Sequence, residues 1–338
     1  MAKLPTTNGV VQAFLVNQSN VGNATFAPDG LAPSPIFGLG GQQLQGNEIV
    51  QGGIATLVSY VGPLLNSGAF CWVLVSCEGG ALQVAPAGQP DQAVQLQQIG
   101  HGQCSLSVAS PTSIALTPLN GNNLIIGGVP QQIADAGVSA SNSGLAASTF
   151  YYVYASFSEG AVALQLATTG YVFAKGIAVK SGDSSQTLVG AIATDASSNF
   201  VDSVEKRFCL SYFNRRTKNL LATVPTVTFT NETMEEVTTA ARVEFISWAD
   251  EAVQTSSTGE MSANQDSTSI VYQNAIDGTL LGDLTGTWFP GGNAGTPIVS
   301  TNAANVAEGS VHYATLLATV SVGTGAVLHG YTRGVIRG

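Results

Sequence analysis

Runs of Val, Ile, Thr, Phe and Tyr, each cut short by Gly, Asn, Asp or Ser, recur from one end of this sequence to the other, and a sustained helical period is hard to find. That punctuation restricts the chain to β structure. A strand needs only a few apolar or alternating residues between turns, whereas a core helix needs a stripe held over several turns. FYYVYASF (Phe150 to Phe157) is apolar on both faces; Ser158, Glu159 and Gly160 then turn the chain, and Val162, Leu164 and Leu166 alternate as a return strand. TLVGAIA (Thr187 to Ala193) lies between the turns SGDSS and TDASSN. Near the end His312, Ala314, Leu316, Ala318, Val320 and Val322 share one face, and Gly323, Thr324 and Gly325 lead into Val327 and Tyr331 as a terminal hairpin.

At 338 residues the chain exceeds the size at which one core stops growing, so more than one domain is expected. The fold class predicted is mainly β: several small antiparallel sandwich-like or barrel-like domains in series, with little helix. Composition shifts place them at residues 1–110, 111–222 and 223–338. Thr112 to Pro130 looks like a connector with two short strands, and NETMEEV could form a turn or two of helix capped by Asn231.

Charge excludes more functions than any motif suggests. The first basic residue is Lys3 and the second is Lys175, and the net charge is -10. Binding a phosphate backbone or an anionic surface by charge needs Lys or Arg, so neither nucleic acid nor membrane is an expected partner. Five of the 11 basic residues, Lys206, Arg207, Arg215, Arg216 and Lys218, fall in one stretch that also holds Asp202 and Glu205. Charged residues make up 9% of the chain, against about 25% in an ordinary soluble domain. With 44% hydrophobic residues this composition points to association rather than disorder. Met1 to Val10 lacks the pattern of a secretory signal, and no stretch is apolar for long enough to span a membrane as a helix.

Chemistry is sparse. Cys71, Cys77, Cys104 and Cys209 fit no zinc spacing and read as buried thiols, although Cys71 or Cys77 could still meet Cys104 or a second chain. His101 sits in a Gly-flanked loop, and His312 and His329 lie in the terminal hairpin. GDSS (Gly182 to Ser185) has the letters of an esterase block but no helix after it, so a hairpin turn explains it better. Asp202 with Glu205, the group Glu232, Glu235 and Glu236, and Asp250 with Glu251 are the carboxylates a glycosidase would draw on. No cofactor and no metal is expected.

SGLAASTFYYVYASFSEGAVALQLATTGYVFAKGIAVKSGDSSQTLVGAIATDASSNF (Ser143 to Phe200), followed by LSYFNRR (Leu210 to Arg216), resembles a module of tail fibres and other adsorption proteins of tailed bacteriophages. The order and spacing of its strand, turn and terminal FNRR segments match; the departure is at Ser197 and Ser198, where the usual turn Gly is absent. Ala24 to Tyr60 resembles an amino-terminal module of such fibres, and Ala241 to Gln265 with Ala307 to Gly325 resembles their carboxy-terminal β-sandwich tip. The resemblance implies a non-enzymatic virion protein and a homotrimer. Its amino-terminal domain would be fixed to other tail proteins, and its tip would meet a host-surface glycan or protein. On that reading Trp248, Trp288 and Tyr313 are the candidates for sugar stacking, with Asp250 and Asp283 as hydroxyl acceptors. A head fibre or decoration protein, and a depolymerase or esterase tailspike, are the alternatives.

Overall fold

The computed structural model of the chain describes residues 3–85, 93, 100–290 and 295–338. Among them every long element is a strand, and the helical content is single 3-10 turns such as Pro28–Gly30 and Thr239–Ala241. The mainly β class read from the turn punctuation therefore holds. The chain divides into two compact units, Met1–Ile99 and Gly100–Gly338.

In the first unit five strands lie in the order Val11–Leu15, Ile54–Tyr60, Cys71–Cys77, Ser34–Gly38 and Thr25–Phe26. All pair antiparallel except Ser34–Gly38, which runs parallel to Cys71–Cys77. Their core gathers Ile36, Leu57, Trp72 and Leu74, and Phe26 and Phe70 meet the Trp72 ring edge-on. None of the five strands carries a charged residue. On the edge pair, Leu15 lies opposite Ile54, and both are exposed together with Val11. The loops are closed by one buried carboxylate: Glu48 accepts from the backbone N–H groups of Gln45 and Gly46 and from the amides of Asn20 and Gln83. Burial pushes this carboxyl up, but those four donors outweigh it and hold the group below its ordinary range.

The second unit is built in layers. Its central sheet has the order Ala161–Ala167, Phe150–Ser158, Asp183–Ala193, Ile177–Lys180, Tyr171–Ala174, with Cys209–Ser211 also on Asp183–Ala193. The hairpin expected from FYYVYASF is present. Ser158 pairs with Ala161, and the two-residue loop Glu159–Gly160 has positive φ at both positions, which matches the twist of the flanking strands. GDSS is also a turn: Lys180 pairs with Asp183, and the Asp183 carboxylate accepts from Ser185 and Gln186. At the departure noted above, Ser198 takes φ 62 in the place of the glycine, and Asp195 holds the turn by accepting from the N–H groups of Ser197 and Asn199.

One face of the central sheet packs on the three-stranded sheet Val138–Ser141, Ser113–Pro118, Cys104–Ser110 and on the hairpin Asn123–Ile126/Val129–Gln132, around Leu106, Ile114, Leu116, Leu124, Val153 and Ile192. The opposite face shares a core with a distal sandwich, in which Phe150, Tyr154, Leu188 and Leu210 pack with Leu220, Val243, Phe245, Trp248, Val253 and Ile336. One sheet of that sandwich is built around His312–Val320 and Thr268–Ile276. The other has the order Thr217–Val224, Gly325–Arg337, Ala252–Ala263, Thr296–Asn305. A further core closes its far end around Met261, Ile270, Phe289, Leu316 and Val327.

Five expectations change. The first break falls at residue 99/100 rather than 110, because Cys104–Ser110 pairs with Ser113–Pro118 inside the second unit. Residues 111–222 and 223–338 are not separate, because Thr217–Val224 pairs along its whole length with Gly325–Arg337 and both sides contribute to one core. NETMEEV forms no helix: the Asn231 amide donates to Thr233 and Ala318 carbonyls, which ties the segment to His312–Val320, and Glu235–Glu236 pairs there as a strand. The last two long strands are not a hairpin, since His312–Val320 and Gly325–Arg337 belong to opposing sheets and the connection arches over the core between them. Thr112 to Pro130 likewise holds three strands, packed into a core, rather than a connector with two.

The cysteines stay separate. All four are free thiols, three of them buried, and burial pushes those of Cys104 and Cys209 up to about 12, where a thiol is unreactive.

Gly190 lies where the central sheet meets the three-stranded sheet, and a Cβ there would strike the Leu106 side chain and the Leu210 carbonyl of the paired strand. Gly190→Ala is expected to lower stability by about 1–3 kcal/mol in chemical denaturation, as overpacking does. In the first unit, the stability contributed by Glu48 is fully present above its ordinary value of 4.5 and lost as pH falls through its depressed native value. Denaturant unfolding at a series of pH values should therefore show a loss on acidification below that point that is flattened in Glu48→Gln.

Candidate functional site

The residues with the most chemistry to offer converge on one side of the second unit, from four separate stretches of chain. Alternation along Phe150–Ser158 puts Tyr152 on the face shared with the distal sandwich, and Tyr171 and Phe173 share a face of the strand Tyr171–Ala174. Tyr212 and Arg215 follow the strand Cys209–Ser211, and Trp248, Asp250 and Glu251 follow Val243–Phe245. The ring centroids of Tyr152 and Tyr171 are 5.8 Å apart at 74°, and those of Tyr171 and Tyr212 are 6.1 Å apart at 65°. Rings so steeply inclined pack edge to face, and they form an aromatic cluster at the margin of the core. Phe173, 66% exposed, extends the cluster towards solvent, and fully buried Trp248 lies edge-on to Tyr212 at 5.4 Å.

The rim is charged. Arg215 lies over the rings of Tyr212 and Trp248 at 5.4 and 5.1 Å, and its Nη1 donates to Asp250 at 2.7 Å and to Glu251 at 3.1 Å. Glu308 accepts from the Ala249 N–H at 3.2 Å and from the Tyr152 hydroxyl. Burial first, and then the Glu308 charge, push the Tyr152 phenol upward; the same causes raise Tyr171 to about 12. Tyr212 is also raised by burial, against the pull of Arg215. The phenols therefore remain hydrogen-bond donors through the neutral range. The cluster thus brings exposed Phe173, phenol donors and the exposed carboxylate of Asp250 to one margin, and none of these groups is an activated nucleophile.

The five residues singled out from the sequence do not form one site. Asp250 reaches the aromatic cluster, with its side chain 69% exposed. Trp248 reaches it too, but with 0% exposure and so without a free face for stacking. Trp288 is 59% exposed on Thr285–Phe289, opposite Ser269. Asp283 lies in the preceding loop, where its carbonyl accepts from Gln273. Tyr313 is covered by the Arg242 guanidinium, 3.9 Å from its ring centre, and Arg242 is in turn paired with Glu236. Tyr152, Tyr171, Tyr212, Arg215 and Glu308 were not foreseen as a group; the signal was the aromatic density of YYVY and YFNRR within one module.

The other carboxylates and the basic cluster are largely engaged with each other. Asp202 pairs with Arg207 and Lys218, and Lys206 pairs with Glu244. These contacts lie along the seam between the central sheet and the distal sandwich, where Lys218 also donates to the Cys209 carbonyl.

One constellation has the composition of a hydrolytic triad. His312 Nδ1 is 2.6 Å from Asp277 Oδ2, and Nε2 is 3.1 Å from the hydroxyl of exposed Ser310. Nε2 is nearer still to the Ala307 carbonyl, at 2.7 Å. A carbonyl only accepts, so Nε2 carries the proton it donates there, and a nitrogen already protonated cannot take one from Ser310. The pair instead ties residues 307–310, and with them Glu308, to the sheet. No group of three or more His, Cys, Asp or Glu able to hold a metal occurs among the described residues.

No family model matches the chain, and no curated protein matches it. Among solved structures, an insecticidal delta-endotoxin of Bacillus thuringiensis shares 8% identity at a TM-score of 0.26, over 70% of this chain and 51% of the endotoxin. The VP2 protein of infectious bursal disease virus shares 9% identity at a TM-score of 0.27, over 100% of this chain and 72% of VP2. This chain thus spans about half of the endotoxin. Similarity at this level carries no argument about function.

Ser310 is expected to behave as an ordinary hydroxyl: a fluorophosphonate probe at pH 8 should label the protein no more than Ser310→Ala, read by intact mass. Selective labelling of Ser310 would overturn the reading of His312 as a loop tie.

Proposed function

We infer that this chain is a structural virion protein of the phage tail-fibre type, which attaches the particle to a host surface by non-covalent binding. The aromatic cluster with its carboxylate margin carries that reading, because it presents exposed ring and carboxylate groups and no nucleophile and base in reacting geometry. The mainly β architecture and the motifs of Ser143 to Phe200 and LSYFNRR agree with it, and Tyr152, Tyr171, Tyr212 and Arg215 all come from those motifs.

Attachment through so small a site is weak for one copy. Joining several copies converts later contacts into intramolecular ones and multiplies the avidity without new contacts. The first unit offers a surface for such assembly, or for anchoring to a neighbouring virion protein. Its edge strand Val11–Leu15 has no charge and no proline, the usual devices that keep an edge from pairing, and it exposes Val11 at 58% and Leu15 at 64%. A homotrimer anchored through this unit is the arrangement proposed.

The full-length protein is expected to scatter light with a mass above the 34.5 kDa of one chain and to compete with particles for adsorption to host cells. Tyr171→Ala with Tyr212→Ala should weaken that competition at least tenfold while the far-ultraviolet β spectrum is kept. A folded, multimeric protein that fails to compete would overturn the attachment reading, and antibody labelling confined to the particle head would favour a head fibre.

A further inference from the structure

The outer face of the sheet Thr217–Val224, Gly325–Arg337, Ala252–Ala263, Thr296–Asn305 holds a groove apart from the aromatic cluster. Alternation along the four strands turns Leu221, Arg333, Ser256 and Thr301 away from the core. The register sets them in one row, with Leu221 opposite Arg333, Arg333 opposite Ser256, and Ser256 opposite Thr301. In the adjacent row Asn219 and Gln254 stand on either side of Val335. Long side chains at Arg333 and Gln254 beside short ones at Ser256 and Thr301 leave a concavity of about 530 Å³, within the ordinary size of a small-molecule site. Arg333 is the one charged residue among the described residues that line it. No carboxylate among the described residues answers that charge, and the guanidinium meets only the ring of Tyr331, 5.2 Å from its centroid. By contrast, Arg242 pairs with Glu236, and Arg337 lies 3.7 Å from Glu251. A guanidinium laid against a ring keeps the N–H groups of its edge for a planar oxyanion.

We propose that this groove binds a saccharide bearing one carboxylate or phosphate group, an inference that takes its ligand class from the attachment reading above and uses a different surface. The oxyanion accepts paired N–H donors from Arg333. The sugar hydroxyls exchange hydrogen bonds with the amides of Asn219 and Gln254 and with the hydroxyls of Ser256 and Thr301, and Leu221 and Val335 meet its C–H groups. A neutral sugar of the same shape leaves the Arg333 donors to water and binds more weakly. One cation in a neutral groove suits one acidic group. A polyanion such as nucleic acid draws its affinity from many neutralised phosphates. Along these strands the next carboxylates, Glu260 beyond Ser256 and Glu251 beyond Gln254, oppose a longer run of negative charge.

The test uses the full-length protein on an array of bacterial-surface oligosaccharides supplemented with two probe pairs: sialyllactose with its methyl ester, and mannose 6-phosphate with mannose. The expected hits are acidic glycans, at least tenfold stronger than their neutral counterparts, and the stronger probe pair tells carboxylate from phosphate. Arg333→Ala should abolish that preference, and Arg333→Lys, which keeps the charge but not the fork, should retain part of it. Thr301→Trp, at an exposed position, fills the groove with Arg333 still in place and should weaken the acidic hits at least fivefold. Tyr171→Ala with Tyr212→Ala should leave them unchanged. Hits confined to neutral glycans, acidic hits that survive both Arg333→Ala and Thr301→Trp, or no hits at all would overturn the assignment. The adsorption competition is a separate readout. A protein that competes without acidic hits loses this groove alone, and one with acidic hits that fails to compete loses the attachment reading alone.

Discussion

The Gly100–Gly338 unit depends on one strand being packed from both sides. Phe150–Ser158 gives Tyr151, Val153 and Ala155 to the core shared with the three-stranded sheet, and Phe150 and Tyr154 to the core shared with the distal sandwich. Burial on both faces fixes register strongly, since a slip of one residue would exchange two apolar sets that fit different cavities. The Tyr154 hydroxyl finds its partner in the Thr169 carbonyl at 2.8 Å, so a polar atom between the cores is not left unpaired. The aromatic cluster is the margin of this arrangement: Tyr152 lies on the same strand, partly buried against the second core.

What the sequence made legible was local. The Glu159–Gly160 turn, the GDSS turn and the alternation of His312, Ala314, Leu316, Ala318 and Val320 each follow from rules acting over a few residues. Partner choice between distant strands did not follow, because Gly325–Arg337 reads equally well as the return arm of a hairpin or as a strand of the opposing sheet. The structure selects the second: Gly325–Arg337 takes Thr217–Val224 and Ala252–Ala263 as neighbours. The misplaced boundary near residue 222 has the same origin, since a change in composition coincides there with a turn but not with an end of the core.

The candidate site was legible only in part, and for a related reason. Trp248 and Asp250 were visible as an aromatic and an acid close together, yet only tertiary packing shows that Trp248 is buried against Tyr212 and that Tyr171 and Tyr212, from separate segments of the chain, meet edge to face. Glu308 had no sequence signal. It reaches the cluster because His312 and Asp277, chosen by the sheet, hold the preceding loop in place. Groups that resemble catalytic machinery thus serve to position a loop.

The absence of charge in the first unit extends beyond what its surface can attract. Contacts made by the uncharged sheet of Val11–Leu15 and Ile54–Tyr60 involve apolar area and neutral hydrogen bonds, which mobile ions do not screen. An assembly joined there would hold equally in fresh water, in a host cytoplasm or in brine. Copies joined there would stay together through changes of ionic strength that loosen an ion-paired interface.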